Sequence, residues 1–228
     1  MSETRVKICG VTDVADAELA AELGAWAVGM VFYEPSPRRC SVEQAQRIAA
    51  ALDRREIELC GVFVNATFEE IEHHVQDLGL SLIQLHGDEG PTFCVEAARR
   101  TGTKAIKAIQ IAGAGDVRQL GRYHVDFHLA DAKARSREAK RLRGGTGETF
   151  DWELLAGRRS GTPLILSGGL GAENVGEAIA RVRPFAVDSA SGTERAPGHK
   201  DEAKLRAFFR AVASSGEPAE SDAAAIPA

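Results

Sequence analysis

Ile57-Glu-Leu-Cys-Gly-Val-Phe-Val-Asn-Ala-Thr-Phe-Glu-Glu-Ile-Glu-His-His-Val-Gln-Asp-Leu-Gly-Leu-Ser-Leu-Ile-Gln-Leu85 contains one complete turn of the pattern that decides the fold. An apolar run, Ile57–Val64, has the composition of a buried strand. Thr67-Phe-Glu-Glu70 follows, with the spacing of a capping box, in which hydroxyl and carboxylate satisfy each other's orphan amides at a helix start. An amphipathic stretch leads to Gly79, which suits the left-handed end of a helix. A second apolar run, Leu82–Leu85, comes next. Strand, helix and strand in so short a span make a βαβ unit, and such units build parallel sheets.

The same alternation extends in both directions. Strand-like runs occur at Val6–Ile8, Ala27–Phe32, Ala105–Gln110, Phe127–Leu129, Leu164–Leu166 and Phe185–Val187. Ser41-Val-Glu-Gln44 is a second capping box, and Gly24 and Gly102 mark further helix ends. Eight strand–helix units, spaced by roughly 20–35 residues, predict an α/β protein with a single-domain (β/α)8 TIM barrel. The alternative is an open doubly wound sheet with one or two strands over-counted. The barrel is expected over residues 1–210. Residues 211–228, rich in Ala, Ser, Glu and Pro without apolar period, are expected to be a disordered tail.

Composition agrees with this. The chain has 228 residues, 44% hydrophobic and 27% charged, enough to bury a core without staples. Lys and Arg total 28 against 33 Asp and Glu, a net charge of −5, so no basic character points to nucleic acid or a membrane surface. An anionic small ligand stays open, because backbone amides bind phosphate whatever the net charge. Cys9, Cys40, Cys60 and Cys94 form no C-x-x-C pair. The N-terminus lacks the apolar core of a signal peptide, and Leu23–Tyr33 is too short to span a bilayer. A reduced cytoplasmic protein, monomer or homodimer, without nucleic-acid or membrane partners, is the expectation.

Barrel strands point side chains alternately inward and toward the helices. Val6 and Ile8 fit the helix side, which leaves Lys7 and Cys9 inward. The same parity turns Gln84 and His86 inward. Asn65 shares a face with Phe63, and Asp131 shares one with Phe127 and Leu129. All these polar groups fall at C-terminal strand ends, where barrel active sites are built. Each has a purely structural reading as well: a buried thiol for Cys9, a turn or cap for Asp131, His86 and Asn65. Lys7 is harder to dismiss, since an inward ammonium needs a partner or an anionic ligand.

Three glycine-rich segments lie late in the chain: Gly144–Gly147, Ser167-Gly-Gly-Leu170 and Asp188-Ser-Ala-Ser-Gly192. None has a Walker A or dinucleotide-binding spacing. The second and third follow the seventh and eighth strands, where many barrels hold phosphate on backbone amides. Gly168, Gly169, Asp188, Ser191 and Gly192 are therefore candidate phosphate-site residues, or merely tight turns. The stretch Ala132–Arg143 is rich in Lys and Arg and reads as a solvated loop or an anion-attracting lid. Arg38, stiffened by Pro35 and Pro37, offers a bidentate fork for a carboxylate.

Taken together, the motifs Val6-Lys-Ile-Cys-Gly-Val-Thr12, Ser36-Pro-Arg38, Gly61-Val-Phe-Val-Asn65, Ile83-Gln-Leu-His-Gly-Asp-Glu89, Gly144-Gly-Thr-Gly-Glu-Thr-Phe-Asp-Trp152, Ser167-Gly-Gly-Leu170 with Glu173-Asn174, and Ser191-Gly192 with Glu194 resemble one family closely. That family is phosphoribosylanthranilate isomerase, of tryptophan biosynthesis. The resemblance covers nearly the whole chain except the tail. It implies a single-domain barrel without cofactor or metal that converts N-(5-phosphoribosyl)anthranilate to 1-(2-carboxyphenylamino)-1-deoxyribulose 5-phosphate. It further implies Cys9 as general base, Asp131 as general acid and Arg38 as holder of the anthranilate carboxylate. Lys7, Asn65, Gln84 and His86 are the remaining substrate-binding candidates. Cys40 and the pair Ser189-Ala190 depart from the family pattern, and the second departure leaves open which group of the last loop meets phosphate. Two other enzymes compete: a barrel aldolase with Lys107 as Schiff base, and a bifunctional isomerase also serving histidine biosynthesis, for which paired aspartates are expected. A non-enzymatic phosphate-binding scaffold would leave the polar convergence at the mouth unexplained.

Overall fold

The computed structural model describes residues 4–53, 56–132, 149–156, 158 and 160–215. In chain order the elements are β1 (Arg5–Cys9), α1 (Val14–Glu22), β2 (Ala27–Val31), α2 (Val42–Ala51), β3 (Glu58–Phe63), α3 (Phe68–Leu78), β4 (Leu82–Leu85), α4 (Pro91–Thr101), β5 (Lys104–Ile111), α5 (Ala114–Leu120), β6 (Phe127–Ala132), α6 (Glu153–Ala156), β7 (Leu164–Leu166), α7 (Val175–Val182) and β8 (Ala186–Ser189). After β8 come a 3-10 turn (Ser191–Thr193), a small hairpin of β9 (Glu194–Ala196) and β10 (His199–Lys200), and α8 (Glu202–Ser214).

The eight parallel strands pair in sequence order, and β1 closes the ring on β8 with Lys7 opposite Asp188. Closure excludes the open sheet. It also separates two apolar layers. Val6, Ile8, Met30, Leu59 and Phe63 face the helices, whereas Ala27, Cys60, Val62, Leu82, Ile106, Leu129 and Ile165 fill the interior. At the N-terminal end, Trp26, Phe127 and Phe185 plug the barrel with ring centroids 5.2–5.3 Å apart, and the Arg5 guanidinium lies 5.0 Å from the Phe185 ring. With that end filled by aromatics, the opposite mouth is left for ligand chemistry.

Helix starts agree with their sequence signals. Ser41 with Gln44, and Thr67 with Glu70, each form both bonds of a capping box. Gly79 and Gly102 end α3 and α4 at φ of 59° and 69°, a region that favours glycine. β6 runs to Ala132, beyond the expected Leu129, because Asp131 and Ala132 continue the ladder opposite Gln110 and Ile111. The tail boundary needs correction too: residues 211–214 belong to α8, and Val212 is buried in the core. Residues 216–228 of the expected tail, the basic loop from residue 133 onward and Gly144–Gly147 lie outside the described residues. Among the described residues no helix is long and apolar enough to cross a membrane.

Candidate active site

A cleft of about 670 Å³, including its open mouth, lies at the C-terminal end of the barrel. Cys9 reaches it from β1, Gln84 from β4, His86 from the position just after β4, Asp131 from β6, and Arg38 from the loop after β2. The strand period of two aims each barrel side chain inward, and the turn after each strand decides how far it reaches.

Beneath the cleft, Lys7 is fully buried, with Nζ 2.8 Å from Asp188 Oδ1. Ser167 Oγ donates to Asp188 Oδ2 at 3.0 Å. Both expectations for this pair are corrected. Lys7 does not line the cleft; its ammonium is spent on an ion pair below it. Asp188 does line the cleft, but its two oxygens already accept from Lys7 and Ser167, and a carboxylate would repel a phosphate. Burial opposes the charge on Lys7, yet Asp188 and the neighbouring thiols hold its pKa above the ordinary value. Burial pushes the Cys9 thiol up; Lys7 opposes this, Asp188 adds to it and Lys200 opposes it again. Gly29 on β2 leaves the space these groups need: a Cβ there would stand 2.9 Å from Cys9 Sγ and 3.1 Å from Lys7 Nζ.

On the far side, His86 lies between two partners. Gln84 Nε2 lies 2.8 Å from Nδ1, and Nε2 lies 3.2 Å from Asp131 Oδ2. Asp131 Oδ1 accepts from the Ala132 amide at 2.9 Å. Gln84 Oε1 has no partner among the described residues, which leaves an acceptor on a side chain that lines the cleft. Asn65 is a correction. Phe63 points to the helices, Asn65 follows its parity, and its side chain accepts from the Asp88 amide at 2.7 Å instead of entering the cleft. The backbone of Asn65 is left-handed, at φ 52°. Its amide and that of Gly87 donate to the Glu89 carboxylate, which also pairs with Lys107 at 2.6 Å. The shared motif around residues 61–65 and 83–89 thus braces the loop that carries His86. Lys107 lies on the helix-facing side of β5, away from the cleft, so the Schiff-base reading of Lys107 fails.

Two loops border the cleft at β7 and β8. Gly168 and Gly169 have φ of 92° and 63°, and a Cβ on Gly168 would collide with the Ala132 backbone nitrogen. Asn174 braces this loop, accepting from the Gly171 amide and donating to the Gly169 carbonyl, both at 2.9 Å. Ser189 Oγ donates to the Leu170 carbonyl at 2.8 Å, so of the two serines in the last loop it is Ser191 that lines the cleft. Gly192 packs against the Leu170 carbonyl, leaving no space for a Cβ. Sequence reading missed Glu194 as a functional partner and Lys200 entirely. Arg38 donates through Nε and Nη2 to Glu194 at 2.7–3.0 Å, and Lys200 Nζ reaches the Cys9 carbonyl at 2.6 Å. Glu194 was visible as part of a motif, whereas nothing local marks Lys200.

A closed parallel barrel, with an imidazole–carboxylate pair, a thiol and glycine-lined loops at its C-terminal mouth, defines a (β/α)8-barrel enzyme. Residues 6–211 match the family model described as N-(5'phosphoribosyl)anthranilate (PRA) isomerase. The chain is 45% identical over 214 residues to the N-(5'-phosphoribosyl)anthranilate isomerase of Pseudomonas putida strain W619, covering 93% of this chain and 98% of that one. It is 42% identical over 206 residues to the Geobacter metallireducens enzyme, covering 90% and 97%. Among solved structures, the phosphoribosyl anthranilate isomerase of Thermotoga maritima superposes with a TM-score of 0.81 at 39% identity, covering 92% of this chain and 99% of that one. The chain belongs to the phosphoribosylanthranilate isomerase family. It is an isomerase that converts N-(5-phosphoribosyl)anthranilate to 1-(2-carboxyphenylamino)-1-deoxyribulose 5-phosphate, an Amadori rearrangement in tryptophan biosynthesis.

Proposed function

We propose that Cys9 and Asp131 carry the acid–base chemistry of this rearrangement, with Arg38 and the two glycine loops holding the ends of the substrate. Asp131, in its acid form, donates a proton to the ribose ring oxygen as the C1′–O bond breaks, and the anilino nitrogen supplies electrons to form a protonated imine. The Cys9 thiolate then removes the C2′ proton, and the electron pair moves into an enolamine. Protonation at C1′ and loss of the hydroxyl proton give the ketone, so no external oxidant or reductant is needed. Arg38 meets the anthranilate carboxylate with a planar fork. The loops at Gly168–Gly169 and Ser191–Gly192 take the phosphate on backbone amides. A solved family member at 37% identity was crystallised with the reduced form of this product, which supports a single cleft for both ends of the substrate.

The observation that carries the assignment is that Cys9 and Asp131 line one cleft from strands on different sides of the ring, with Arg38 and both loops at its rim. One chain supplies every group named, so monomer or homodimer would serve equally, and neither nucleic acid nor a membrane is required. Four free thiols suit a reducing, cytoplasmic compartment. The test follows the fluorescence loss of phosphoribosylanthranilate generated in situ. Cys9→Ala and Asp131→Asn should each lower kcat by about 10²–10⁴-fold. Undiminished turnover in either variant removes that residue from the mechanism.

A further inference from the structure

Glu194 and Lys200 belong to the hairpin β9–β10 and have no part in the proton transfers, yet both are buried and bonded to residues that line the cleft: Glu194 to Arg38, and Lys200 to Cys9 and Ala190. Glu194 receives Arg38 Nε on both oxygens, at 2.9 and 3.0 Å, and Arg38 Nη2 on Oε2 at 2.7 Å. Its Oε1 also accepts from the Gly198 amide at 3.2 Å and from Lys200 Nζ at 3.3 Å. Lys200 Nζ donates further to the carbonyls of Cys9 and Ala190, at 2.6 and 3.2 Å, while its backbone amide binds Asp16. Gly10, at φ 74°, makes room for the Arg38 stem, because a Cβ there would meet Arg38 Cδ at 2.7 Å.

Two consequences follow. Glu194 holds the Arg38 guanidinium through Nε and Nη2, so its plane and rotamer are set before any ligand arrives, and ordering that otherwise accompanies binding has already occurred. The three side chains Arg38, Glu194 and Lys200 sum to one positive charge, which one incoming carboxylate would neutralise. Without Lys200, Glu194 would cancel Arg38 and oppose a second carboxylate at the same guanidinium.

We propose that Glu194 is a positioning residue for recognition of the substrate's aryl carboxylate: it presets Arg38, and Lys200 supplies the charge that lets Arg38 serve two carboxylates. The proposal rests on the reading that Arg38 meets that carboxylate, and the experiment separates the two. Kinetics are measured on N-(5-phosphoribosyl)anthranilate and on its carboxylate-free analogue N-(5-phosphoribosyl)aniline, for wild type, Glu194→Gln and Arg38→Ala. In Glu194→Gln, KM for the anthranilate substrate should rise about tenfold with kcat within about twofold, and KM for the aniline analogue should not change. Arg38→Ala should lower kcat/KM for the anthranilate substrate far more than for the analogue. If Arg38→Ala impairs both substrates alike, the carboxylate reading falls and the proposal with it. If Arg38→Ala discriminates but Glu194→Gln impairs both substrates alike, or neither, the proposal alone is overturned. Competitive inhibition by inorganic phosphate reports whether the rest of the cleft is intact in each variant. Should Glu194→Gln not fold, Glu194→Asp, which withdraws the carboxylate by one methylene, is expected to give the same substrate-selective rise in KM.

Discussion

Cys9 has to be a thiolate to act as a base, and its surroundings pull in both directions. Burial raises its pKa, while the ammonium groups of Lys7 and Lys200 favour the charged form. The net direction is upward, so the base form appears above the ordinary thiol range, near pH 8.5. The expected pH profile of kcat/KM therefore still climbs at about pH 9, and removing the cation with Lys7→Met moves the climb to higher pH. A profile already level at neutral pH would show that the thiol ionises more readily than its burial allows. At this scale the sequence was legible wherever the signal is local. A period of two aimed Cys9, Gln84, His86 and Asp131 at one mouth, because each depends only on its own strand. What the period cannot carry is the partner. Lys7 was read as a substrate contact because Asp188 lies 181 residues away in the chain. Lys200 went unread because its main acceptor, the Cys9 carbonyl, is 191 residues distant.

The loop from β4 to α4 shows how a conspicuous motif can be scaffolding. Glu89 collects the amides of Asn65 and Gly87 and the Lys107 ammonium, so one buried carboxylate ties β3, β4 and β5 together where His86 leaves the barrel. Removing that carboxylate leaves Lys107 as a buried cation with no counter-ion among the described residues, held by the Gly87 carbonyl and the face of the Tyr123 ring. Glu89→Ala should lower the unfolding free energy by about 3–5 kcal/mol in a denaturant titration, and adding Lys107→Met should restore most of it. A small loss with no recovery in the double variant would mean that the pair does not anchor the loop. Elements themselves were read well, with strands placed to within a few residues and both capping boxes formed as spaced, because the strands are short and mostly apolar and each of these helix starts has its own side-chain chemistry. Asn65 was read as a ligand contact because its shared face with Phe63 has no direction in a run with apolar residues on both faces; the structure turns Phe63 to the helices, and Asn65 with it.

Across the whole molecule, Cys40, Cys60 and Cys94 are buried thiols with no part in the proton transfers proposed for Cys9, although Cys60 lies in the same interior cluster as Cys9, and burial pushes them to about 12, about 12 and about 11. In the unfolded chain they ionise in the ordinary thiol range; in the folded protein they keep their protons. Their contribution is complete below that range and is lost as pH rises toward the folded values, by on the order of 1 kcal/mol per pH unit for each thiol. Urea midpoints should therefore fall between about pH 8 and pH 10.5, and the fall should be smaller in Cys60→Ala. An unchanged midpoint would show that these thiols ionise in place. Barrel closure was legible as a count of eight repeats, but which strands meet at the seam is a property of the whole ring. That seam has a consequence for synthesis. The ribosome delivers Lys7 181 residues before Asp188, and their meeting across β1 and β8 sets the ion pair beneath the thiol. A nascent or truncated chain that ends before β8 carries the Cys9 thiol without the ion pair under it, so activity appears only once β8 has been made and has closed on β1.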